Sequence, residues 1–106
     1  MRVVACVDLY FQAKIDGIAK YVNSRVTFCN EHDLVEKAKE AQLAVIDLET
    51  FPGTIAMVPS LKARGAQVIG FLSHANTELR QQAQQAGCMV VSRAFFSERL
   101  AEILKE

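Results

Sequence analysis

Two aspartates, a glutamate, a serine and an arginine stand just past short apolar runs in this 106-residue chain. Asp8 follows Val3-Val4-Ala5-Cys6-Val7, and Asp47 follows Leu43-Ala44-Val45-Ile46, with Glu49 shortly after. Ser73-His74 follows Val68-Ile69-Gly70-Phe71-Leu72, and Ser92-Arg93 follows Met89-Val90-Val91. Carboxylate oxygens suit a hard divalent cation such as Mg²⁺. A carboxylate is also a nucleophile that can carry a phosphoryl group. A hydroxyl and a cation would then hold the phosphoryl oxygens. Simpler roles stand beside these. Asp47 can cap the next turn, and Asp8 can start a helix. Ser73 can be a turn hydroxyl, and Arg93 a permanent counter-ion of Asp47. His74 is a candidate proton donor, but both it and His32 fit solvated surface positions.

The elements that must position these residues follow from the apolar pattern. The five runs, counting Val26-Thr27-Phe28-Cys29, recur about every 20 residues. They are continuous, not alternating, which is the mark of strands buried on both faces of a parallel sheet. Helical spacing fills the gaps. Phe11, Ile15, Ile18 and Val22 share one helix face. Asn30 can cap a second helix, with Glu31 and Asp33 in its first turn and Leu34, Ala38 and Ala41 inward. Pro59 requires the third helix to begin near Ile55 or later, with Leu61 inward and Gly65 as its stop. Asn76 or Thr77 starts a fourth helix that buries Leu79, Ala83 and Ala86 and stops at Gly87. Ser97 is expected to cap the last helix, with Leu100, Ile103 and Leu104 inward. The pattern is a βα unit repeated five times in a single domain, 1–106. Its simplest solution is a doubly wound, flavodoxin-like parallel sheet of order 2-1-3-4-5 with helices on both faces. The first and third strands then flank the crevice where such sheets bind ligands.

Composition narrows the classes. Twelve basic and twelve acidic residues give zero formal net charge, and 51% of residues are hydrophobic. A disordered chain needs the opposite balance. No basic excess points to nucleic acid, and no apolar run approaches the ~20 residues of a membrane span. The start, Met1-Arg2-Val3-Val4, reads as a strand and not as a signal peptide. Cys6, Cys29 and Cys88 form neither a disulfide framework nor a zinc spacing. They read as reduced, buried thiols of a cytoplasmic protein. The alternative is a redox or metal pair of Cys6 and Cys29, neighbours if the first two strands lie side by side.

The five-unit plan, with Asp8, Asp47, Ser73, Arg93 and Phe95 at successive positions, resembles the receiver domain of two-component response regulators over essentially the whole chain. The resemblance implies that Asp47 accepts phosphate from a histidine kinase and that Asp8, with Asp47 and Glu49, holds Mg²⁺. It also implies that Ser73 senses the phosphoryl group and that Arg93 contacts it. The chain departs from the family pattern in several places. Val7 and Leu9 flank Asp8, so one of two adjacent acids is missing and Mg²⁺ would bind weakly. Arg93 replaces a lysine, and Arg is not a point charge. Ala94 replaces the proline that follows. The Gly87–Arg93 segment is one residue short, and the strand position that is aromatic in receivers is aliphatic here, Val90 or Val91. Pro52-Gly53 falls one place late. These departures resemble an atypical receiver or pseudo-receiver with weakened or lost phosphorylation.

Three functions compete. The first is a stand-alone receiver-like module that acts by protein contact, with phosphoryl acceptance at Asp47 and a kinase or downstream target as partner. The second is a degenerate receiver that acts only by interaction or by homodimerisation through the fourth helix, fifth strand and fifth helix, where Phe95-Phe96 would be half core and half exposed. The third, a small α/β enzyme, has less behind it. Asp8-Leu9-Tyr10-Phe11-Gln12 is no phosphate-cradling loop. Cys6 lies within a strand and not at its exposed end, and no G-x-S-x-G elbow occurs. Signalling by protein contact is the expectation.

Overall fold

The computed structural model describes residues 1–105. Five parallel strands, β1 (Arg2–Cys6), β2 (Arg25–Phe28), β3 (Leu43–Asp47), β4 (Gln67–Leu72) and β5 (Met89–Ser92), form one sheet in the order β2-β1-β3-β4-β5. The helices are α1 (Leu9–Tyr21), α2 (Leu34–Lys37), α3 (Val58–Ala63), α4 (Thr77–Ala86), α5 (Arg93–Glu98) and α6 (Leu100–Leu104). Turns of 3₁₀ helix, Glu31–Asp33 and Pro52–Met57, lead into α2 and α3. This is the flavodoxin-like arrangement.

Two cores sandwich the sheet, and strand alternation divides them. Val3, Ala5 and Val7 join Phe11, Ile15, Phe96, Leu100 and Leu104 on the face covered by α1, α5 and α6. Val4 and Cys6 join Leu34, Val58, Leu61 and Ala83 on the face covered by α2, α3 and α4. Every residue of β3 is buried, as its central position requires. Gly70 in β4 marks a close approach. A Cβ there would lie 2.7 Å from Leu48 Cδ1 and 2.9 Å from Cys88 Sγ. Pro59 falls in the first turn of α3, where it costs no helical hydrogen bond. Gly87 ends α4 with φ of 103°, a conformation that favours glycine.

Two helices differ from the sequence pattern. The second is only one short α segment after a 3₁₀ turn: past Lys37 the backbone tightens into three-residue turns, the Lys39 N–H donating to the Glu36 carbonyl at 3.4 Å and the Ala41 N–H to the Ala38 carbonyl at 3.0 Å. The fifth does not start at Ser97. Ser92 is the cap, its Oγ accepting from the Phe95 N–H at 3.0 Å, and the helix runs directly from β5 at Arg93. The physical reason is Phe96. Placed one turn into α5, it stacks on Phe71 with centroids 4.4 Å apart and meets Phe11 edge-on. Ser97 is left to accept from Lys14 Nζ of α1. A break at Arg99 precedes α6, whose Leu100 and Leu104 are buried.

Candidate functional site at the carboxyl rim of the sheet

Glu49 is the hub of this rim. It sits past the end of β3, and its carboxylate accepts three bonds, two from the β4–α4 connection and one from α5. The Ser73 backbone N–H donates to Oε1 at 2.9 Å and the Asn76 side-chain amide to Oε2 at 3.2 Å. Arg93 Nη2 completes the set as an ion pair with Oε1 at 2.7 Å. The chain following β4, the N-cap of α4 and the first residue of α5 are thus tied to one anion. Asn76 holds α4 as well, its Oδ1 accepting from the Leu79 N–H at 3.4 Å.

Asp47 is 0% exposed and faces inward at the end of the central strand. Its Oδ2 accepts from Thr50 Oγ1 at 2.7 Å, and its Oδ1 from the Thr50 N–H at 3.2 Å. The Asp47 carbonyl takes the Phe51 N–H at 2.9 Å. Asp47 therefore caps the turn that leaves β3, the simpler of its two sequence-based roles. The permanent counter-ion of Arg93 is Glu49, not Asp47. The difference is one of depth: Arg93 is exposed at the rim, while Asp47 is packed beneath it.

Asp8 is the N-cap of α1, its Oδ1 accepting from the Phe11 N–H at 3.0 Å. It lines a depression shared with Leu9, Tyr10, Asn30 and Phe51. Glu49 lines a separate one with Pro52, Asn76 and Leu79. Among the described residues, no three His, Cys, Asp or Glu side chains come together to hold a metal ion, Asp8, Asp47 and Glu49 included. Ser73 joins the site through its backbone, and its side chain is half-buried. His74 and His32 are exposed. Phe96 is fully buried and Phe95 is 46% exposed, the split expected of that pair.

The rim also contains residues that motif reasoning did not assign to it. Thr50 and Asn76 are the direct partners of the two acids. Asn76 had a signal as a helix cap, but nothing in its local sequence points to Glu49. Thr50 stands three residues after Asp47, the spacing of a side chain that can close an Asx-type turn.

A scan of the chain against protein-family models found no match, and a search of curated proteins found none either. The fold class is that of doubly wound, flavodoxin-like α/β domains. Among the described residues no helix is long and apolar enough to cross a membrane.

Proposed function

We propose that this chain is a receiver-like module that works by protein contact without phosphorylation. The observation that carries this reading is the Glu49 hub. A receiver uses an anion at the end of its third strand to draw in groups from the fourth and fifth strands. Here Glu49 supplies such an anion permanently, binding the Ser73 N–H and Arg93 at once. The carboxylate expected to accept phosphate, Asp47, is buried with both oxygens engaged. The partner surface is the α4–β5–α5 face. Its edge strand begins at Met89, 65% exposed, and Phe95, 46% exposed, lies in the first turn of α5 beyond that strand's carboxyl end. A second copy of the chain is the partner this face would take. A cytoplasmic setting is consistent with three buried cysteines held as free thiols.

A second reading retains phosphoryl transfer to Asp47, with Mg²⁺ held by Asp8 and Asp47. It is favoured by the place of Asp47 at the carboxyl end of the central strand. It requires Thr50 to release that carboxylate. The test is intact-mass analysis after incubation with acetyl phosphate and Mg²⁺, together with sedimentation across a concentration series. The first reading expects no phosphoryl adduct, and self-association that survives Asp47→Asn and weakens in Phe95→Ala. An adduct lost in Asp47→Asn would replace it with the second reading. A monomer at all concentrations would refute homodimerisation.

A further inference from the structure

Cys6 ends β1, and Cys29 follows the last residue of β2. The two strands are parallel and in register, Ala5 facing Phe28, and the Cys29 N–H donates to the Ala5 carbonyl at 3.0 Å. One step further along, Cys6 faces Cys29. Paired residues of parallel strands point to the same side of a sheet, and both cysteines belong to the same core. Neighbouring strands lie roughly 4.8 Å apart, within the ~4.4–6.8 Å Cα separation that a disulfide spans. The two side chains therefore lie side by side within one core. The Cys6 thiol hydrogen-bonds to Cys29, which holds Cys29 below the ordinary thiol range and pushes Cys6 above it. Burial and the nearby Asp33 oppose the lowering at Cys29, and Lys37 assists it. Cys88 packs against Gly70 of β4, on the far side of β3 from Cys6.

We propose that Cys6 and Cys29 are a dithiol–disulfide couple that a peroxide oxidises to an intramolecular bridge between β1 and the end of β2, with Cys88 left reduced. Cys29 is the attacking group. It is 8% exposed, whereas Cys6 is 0% exposed, and it adjoins a four-residue edge strand that can fray. Its thiolate attacks one peroxide oxygen and the O–O bond breaks. Cys29 becomes a sulfenic acid, and the departing oxygen leaves as water or an alcohol once protonated. The Cys6 sulfur then attacks the Cys29 sulfur. The S–S bond forms, the S–O bond breaks, and the hydroxide leaves as water with the Cys6 proton. In sum, two thiols and one peroxide give a disulfide, one water and one alcohol or second water.

The experiment treats the whole chain with hydrogen peroxide, blocks remaining thiols under denaturing conditions and digests with trypsin. Cleavage after Arg2, Lys14, Arg25, Lys37, Arg80 and Arg93 places the three cysteines on separate peptides. The expected product has lost two hydrogens, links peptides 3–14 and 26–37, carries a blocked thiol on 81–93, and reverts with a reductant. In Cys6→Ser, whose hydroxyl keeps a donor beside Cys29 but cannot form the bridge, dimedone should trap a sulfenic acid at Cys29 about tenfold faster than at Cys88. The linked peptides decide the matter in the native chain should that variant not fold. Oxygen addition without linkage, a bridge to Cys88, bridges only between chains, or thiols that remain unreacted would each overturn the proposal.

Discussion

Replacing Glu49 by alanine removes one anion and three partners at once, so its cost can be built from the structure. The Ser73 N–H contact at 2.9 Å is a charge-assisted bond in a half-buried setting, worth about 1.5 kcal/mol. The longer Asn76 contact at 3.2 Å adds roughly 0.5 kcal/mol. The Arg93 pair is short, but Arg93 is 48% exposed, so solvent screening holds it to about 0.5 kcal/mol. The sum is about 2.5 kcal/mol, or roughly 10 °C in melting temperature for a domain of this size. Urea denaturation of wild type, Glu49→Ala, Arg93→Ala and the double variant would separate the parts. The Glu49–Arg93 coupling should stay near 0.5 kcal/mol and fade with added salt. The Ser73 and Asn76 parts should persist. A loss under about 0.5 kcal/mol for Glu49→Ala would refute the hub, because three donors cannot lose such a partner without cost.

Other substitutions test the frame around the hub. Ser92→Ala should cost about 1 kcal/mol through loss of the α5 cap and Ser97→Ala less than half of that, read from thermal melts; the reverse order would restore the later helix start. Gly70→Ala should cost about 1–3 kcal/mol in urea titration, because its methyl would press on Leu48 and Cys88, and Cys88→Ala in the same chain should recover part of that. Phe96→Ala should cost roughly 3–5 kcal/mol, while Phe95→Ala should leave stability within about 0.5 kcal/mol and weaken self-association by sedimentation. Burial raises the Cys88 thiol from 9.0 to about 11. The unfolded chain therefore ionises this thiol first, so the contribution of Cys88 is present below pH 9.0 and is lost as pH rises to about 11. Stability measured across that window should fall less steeply in Cys88→Ala.

Strand positions and sheet class were legible because both depend on local composition. Five continuous apolar runs at βα spacing leave few folds open. The first helix was equally plain, since Phe11 and Ile15 must bury together on one face. The last helix was not. Ser92 and Ser97 are both competent caps, and only the stack of Phe96 in α5 on Phe71 in β4, elements separated in sequence, selects Ser92. The Glu49–Ser73–Asn76–Arg93 cluster was legible in part. The sequence puts acids, a hydroxyl and a cation at strand ends, but it does not say which acid meets the cation.

Periodicity and burial act over a few residues, so the alternation of strand and helix and the set of polar residues sent to one rim can be read along the chain. Packing between remote segments sets the pairing of Glu49 with Arg93, the inward turn of Asp47 to Thr50 and the meeting of Cys6 with Cys29. Those pairings depend on depth and strand order, which are set when remote segments pack together.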